Sequence, residues 1–162
     1  VGKKKYADVQ ELAIESQKKG NELKAQFVDV IDRDTEAFNA VSAVFAMPKD
    51  TDEEKAARKA AMQEALKGCT KTPFEMMELA CQALELTRSV VGKLNASAAS
   101  DLGCAALSLK AAIQGAWLNV LINIGGIQDQ AFADEYRQKG QALLDKALPL
   151  ADAIYQEVLE SL

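Results

Sequence analysis

Histidine is absent from all 162 residues. That removes Ser-His-Asp and Cys-His catalysis together with the commonest transition-metal side chain, so proton transfer in any enzyme of this sequence falls to Asp, Glu, Lys, Tyr or Cys. Cysteine is sparse: Cys69, Cys81 and Cys104 are odd in number and too widely spaced for a disulfide framework or a zinc site, and core thiols are expected, with no metal centre. Positive charge is in deficit, with 19 Lys and Arg against 24 Asp and Glu and a formal net charge of −5, which argues against nucleic acid or an anionic membrane as partner. No apolar run reaches the length of a membrane span and no signal-peptide pattern opens the chain, so a cytoplasmic protein is the default expectation. A glycine-rich phosphate loop is missing too, because Gly125-Gly126-Ile127 follows no strand.

What remains favours helix. Hydrophobic residues make up 49% of the chain, Pro is limited to 3 and Gly to 9, and Ala, Leu, Glu, Lys and Gln dominate. The expected fold is all-α, a single-domain bundle of about five long helices. The first is expected over about 5–46, bent near Gly20 and ended by Pro48. Thr51-Asp-Glu-Glu54 matches a capping box for a second helix over about 52–68. Thr72-Pro73 reads as a new start, with Pro at the first helical position, for a third helix reaching about Leu94. Ser100-Asp101 is a plausible cap for a fourth over 101–124. Gly125-Gly126 stops that helix, since glycine accepts the left-handed cap conformation. The last begins near Asp129 and should be kinked or divided at Pro149.

One carboxylate stands out. At 100° per residue Phe27, Ile31, Phe38, Val41 and Phe45 share a stripe, and Asp34 falls in its middle, whereas Asp32 projects to solvent. A carboxylate among apolar side chains must be paired, hydrogen-bonded or protonated, so Asp34 is either a structural acid or a functional one. Lys3, Lys4 and Lys5 form the densest positive cluster, a solvated basic turn or an anion site. The helix over 101–124 has a main apolar stripe and a second face of Asp101, Ala105, Ser108, Ala112, Gly115, Asn119 and Asn123, which suggests a central helix. Asn119 and Asn123 share a face and suit interhelical hydrogen bonds or a polar ligand edge. Asp101 and Asn119 stand about 27 Å apart along the axis, too far for one pocket in one chain. The chain starts abruptly at Val1, and a segment before it is expected to be missing.

Val-Gly-Lys-Lys-Lys-Tyr from Val1, Asp-Arg-Asp-Thr-Glu-Ala-Phe from Asp32, Thr72-Pro73, Ser-Asp-Leu from Ser100 and Gly-Ala-Trp-Leu-Asn-Val-Leu-Ile-Asn from Gly115 together resemble the cyclodeaminase/cyclohydrolase family. That family comprises the carboxy-terminal half of formiminotransferase-cyclodeaminase and free-standing bacterial relatives. The resemblance covers nearly the whole chain, residues 1–162 as one domain, without the family's amino-terminal helix and its Pro-Gly-Gly-Gly turn. The Pro48–Lys55 stretch looks most like free-standing methenyltetrahydrofolate cyclohydrolases. It implies a homodimeric folate enzyme with its site in a groove between subunits and Asp34 as catalytic acid. Lys4 and Lys5 would meet the glutamate tail or assist Asp34; Asp101, Asn119 and Asn123 would position the pterin or the activated water. No cofactor beyond the tetrahydrofolate substrate is required. Two activities fit, hydrolysis of methenyltetrahydrofolate and cyclodeamination of formiminotetrahydrofolate. Pattern alone favours a non-catalytic helical interaction module; the resemblance reverses that order.

Overall fold

A computed structural model describes residues 4–162, Lys5 by its backbone alone. After a 3-10 turn over Lys4–Val9 come helices α1 (Gln10–Phe45), α2 (Asp52–Val90), α3 (Ala99–Ile124) and α4 (Gln130–Ser161). Among the described residues the all-α expectation holds, with four long helices in place of five.

The merged pair is the expected second and third. Pro73 lies inside α2, although an interior proline removes one backbone hydrogen bond and normally breaks or kinks a helix. The carbonyl it orphans is that of Cys69, four residues back, and Asn123 Nδ2 donates to this oxygen at 2.7 Å from α3. A side chain 54 residues away in sequence therefore supplies the bond that the proline cannot. Pro149 is likewise inside α4, but both it and Asp145, whose carbonyl it deprives of a helical partner, are exposed, and solvent can take the place of the lost bond.

Local signals set the remaining boundaries. The capping box forms as expected: Thr51 Oγ1 accepts from Glu54 N at 3.2 Å and Glu54 Oε2 from Thr51 N at 3.0 Å. Asp129 caps α4 by accepting from Phe132 N at 3.1 Å. Ser100-Asp101 caps nothing, because a 3-10 turn over Ala96–Ala98, capped by Asn95, leads into α3, whose N-cap is Ala98. Gly125 ends α3 with right-handed helical angles, φ −63 and ψ −24. Among the described residues the positive φ is instead at Gly92, φ 71, in the turn after α2.

Successive helices run antiparallel. Asp34 meets Thr72 and Arg58 meets Val44 across α1 and α2, Asn123 meets Cys69 across α2 and α3, and Lys110 meets Asp152 across α3 and α4. Helices α2, α3 and α4 all touch one another and enclose the main core, which contains the fully buried Met77, Leu84, Ile113, Val120 and Ile154. Trp117 lies so close to Gly140 that a Cβ there would stand 2.0 Å from its Cζ3, so only glycine fits. By length and composition α3 could cross a membrane, contrary to the expectation that no stretch reaches that length; its Ala106, Ile113, Val120 and Ile124 face packs into this core.

Helix α1 packs on α2 alone, through a small separate cluster of Leu23, Val30 and Leu79. The predicted stripe is only partly the buried one. Leu23, Val30 and Val44 face α2, whereas Ile31, Phe38 and Phe45 are 57%, 64% and 65% exposed. Two apolar rows run along α1 and a single neighbour covers one of them.

Candidate functional site

Asp34 stands on the border between those rows, about 40° round the helix from Val30. It is exposed, not embedded among apolar side chains as the periodicity predicts. Its Oδ1 accepts from Thr72 Oγ1 at 2.6 Å, and Oδ2 takes no hydrogen bond from the described residues. The buried Cys69 lies behind this pair, its thiol pushed up first by burial and then by the Asp34 carboxylate. Asn123 completes the group through the Cys69 carbonyl. A short, oriented carboxylate hydrogen bond beside an open apolar row is an arrangement that can exchange a proton with a bound ligand.

The neighbouring residue faces the other way. Arg33 grips Glu75 with two bonds of 2.7 and 2.6 Å and Asp29 with one of 2.7 Å. The Glu75 bonds and then Asp29 raise its pKa further above the ordinary arginine value. This cluster lines a groove of about 800 Å³ between α1 and α2 that reaches Tyr136 and Lys139 on α4. Burial, reinforced by Glu75, pushes the Glu78 carboxyl on its wall upward, and Lys139 partly offsets this. Asp34 does not line the groove.

The predicted site residues divide into two groups. Asp34 and Asn123 belong to one end of the bundle, but the Asn123 amide is committed to the α2 backbone, the interhelical role weighed for it from spacing. Asn119, one turn earlier, is exposed and donates to the Gly115 carbonyl of its own helix at 3.0 Å. Lys4 and Asp101, both exposed, lie at the opposite end, where Tyr6 Oη donates to Asn95 Oδ1 at 2.9 Å beside the start of α3. The rise of α1 puts that end about 36 Å from Asp34, so Lys4 cannot assist Asp34 within one chain. Lys3 and the Lys5 side chain lie outside the described residues. Thr72 enters the sequence reading as a helix start and as part of the family resemblance, without a role at the site. Its place opposite Asp34 depends on the antiparallel register of α1 and α2, which no short motif encodes.

Comparison with known proteins accords with this architecture. The profile of the family described as formiminotransferase-cyclodeaminase matches residues 1–142. A methenyltetrahydrofolate cyclohydrolase of Methylorubrum extorquens is 39% identical over 158 residues, which is 98% of this chain and 76% of that protein. The formimidoyltransferase-cyclodeaminase of Sus scrofa is 34% identical over 123 residues, 76% of this chain but only 23% of its own length. The crystal structure of formiminotetrahydrofolate cyclodeaminase from Thermotoga maritima superposes with a TM-score of 0.76 at 25% identity, covering 99% of this chain and 74% of that one.

Proposed function

As a member of the formiminotransferase-cyclodeaminase family, the chain is, we propose, an enzyme that hydrolyses 5,10-methenyltetrahydrofolate to 10-formyltetrahydrofolate with Asp34 as its acid/base. The observation that carries this is the 39% identity to a methenyltetrahydrofolate cyclohydrolase along 98% of the chain. Asp34 supports it as an exposed carboxylate anchored through one oxygen.

The chemistry asks for a single proton shuttle. Asp34 takes a proton from water as the water oxygen bonds to the electrophilic carbon between N5 and N10. It then delivers that proton to N5 as the bond from carbon to N5 breaks. The adduct hydroxyl loses its own proton to solvent as the formyl carbonyl forms on N10. No step calls for a metal or a nucleotide. The cyclodeaminase relatives favour a second reading. There N10 attacks the formimino carbon, the same carboxylate carries the N10 proton to the formimino nitrogen, and that nitrogen takes a second proton from solvent and leaves as ammonia as its bond to carbon breaks.

The site is completed, in this proposal, by a second copy of the chain. Ile31 and Phe38 flank Asp34 and stand 57% and 64% exposed, an apolar border of the kind that interfaces cover. A two-fold axis across α1 would bring Lys4, Lys5 and Asp101 of one copy toward Asp34 of the other, where they would hold the glutamate tail and pterin. The free thiols Cys69, Cys81 and Cys104 fit a reducing cytoplasm.

The test supplies methenyltetrahydrofolate and formiminotetrahydrofolate separately. Loss of methenyl absorbance above the uncatalysed rate, without ammonia release, is the expected result. Ammonia release from the formimino substrate moves the protein to the second reading. Silence on both, from folded protein, leaves a helical interaction module.

A further inference from the structure

Resting on the assignment of Asp34 as acid/base, we propose that Thr72 is the positioning residue for its carboxylate, and that Pro73 and Asn123 keep the Thr72 hydroxyl available for that role. Thr70, Thr72 and Thr87 are all buried on α2. A threonine hydroxyl inside a helix ordinarily bonds the carbonyl three or four residues back. Thr70 Oγ1 does so to Leu66 O at 2.8 Å, and Thr87 Oγ1 to Ala83 O at 2.8 Å. Thr72 Oγ1 departs from its neighbours and donates to Asp34 Oδ1 at 2.6 Å.

The departure is notable because Thr72 stands beside the one carbonyl that Pro73 orphans. Cys69 O, three residues before Thr72, lacks the N–H that any other residue at position 73 would offer it. Left open, it would draw in the Thr72 hydroxyl. Asn123 Nδ2 occupies it at 2.7 Å. The hydroxyl is thereby released across the helix interface, where it fixes Oδ1 and leaves Oδ2 for the reacting proton.

Donation from Thr72 Oγ1 fixes the orientation of the Asp34 carboxylate. The charged and titratable groups that α2 brings near are few. Cys69 feels the Asp34 charge, Glu75 is tied to Arg33, and Lys71 lines the groove on the other side. On α1 itself Arg33 is committed to Glu75 and Asp29.

The full chain, wild type and variants, would be followed in two ways: the carbon-13 chemical shift of the Asp34 carboxyl at one fixed pH, which reports its hydrogen bond without turnover, and kcat and KM for methenyl loss. Thr72→Val replaces the hydroxyl with a methyl group and should move that chemical shift and lower kcat about tenfold with little change in KM; Thr72→Ser should restore both. Asn123→Ala should produce the same change, because Thr72 then turns to Cys69 O. Adding Pro73→Ala to Asn123→Ala should reverse it, since the new N–H at position 73 fills that carbonyl from within the helix. An unmoved Asp34 carboxyl signal in folded Thr72→Val overturns the proposal whatever the activity. A folded double variant that remains shifted overturns the role of Pro73 and Asn123. Inactivity of the wild type on both folates would count against the function and leave the carboxyl signal to decide the hydrogen bond.

Discussion

The two hydrophobic regions of this molecule are built on different terms. In the core of α2, α3 and α4, each helix touches two others and residues such as Met77, Leu84 and Ile154 are 0% exposed. In the seam of α1 on α2, the fully buried set shrinks to Leu23, Val30 and Leu79 with Val44 further along α1, and polar links join it, Asp34 with Thr72 and Arg33 with Glu75. A helix with one neighbour contributes less burial, but it keeps a face free. Stability is concentrated where helices close on one another, and the candidate chemistry lies where one of them remains open.

Substitutions in the two regions sharpen that division. The largest loss of stability is expected in the closed core, where Leu84→Ala should cost about 2–5 kcal/mol in chemical denaturation. The matching truncation in the seam, Val30→Ala, removes two buried methyl groups and should cost about 2 kcal/mol. If Val30→Ala proved as damaging as Leu84→Ala, α1 would be part of a single core and the division would fail. The smallest effect on stability is expected on the open row. Phe38→Ser should change the stability of the single chain by no more than about 0.5 kcal/mol, while analytical ultracentrifugation should show the proposed dimer weakened. A large drop in the melting temperature of a protein that remains dimeric would mean that Phe38 is buried within its own chain.

The same contrast explains what the sequence disclosed. Thr51 and Glu54 build their capping box from residues three apart, and Asp129 caps within three residues, so both helix starts were legible. The continuity of α2 was not. It depends on Asn123 reaching Cys69, a tertiary substitute for a local bond, and local rules rightly read Pro73 as a start. The orientation of α1 was legible only in part, because Val30 and Ile31 are equally apolar and only the number of neighbours decides which row is covered. Asp34 was singled out as an acid in an apolar setting. The apolar setting is there, but as an exposed row open to a partner, not as an enclosing core. Lys4 and Asp101 were separated from Asn119 by axial distance alone, and helix α1 carries the same separation to Asp34.

The most direct measurement compares wild type and Asp34→Asn for methenyltetrahydrofolate hydrolysis and thermal unfolding in parallel. An exposed carboxylate that exchanges the reacting proton predicts a loss of at least about a hundredfold in kcat, from the usual contribution of general acid–base catalysis, with the melting temperature essentially unchanged. Retention of turnover within a few-fold, or a loss of activity that tracks a fall in stability, would contradict the placement of the chemistry on the open side of α1.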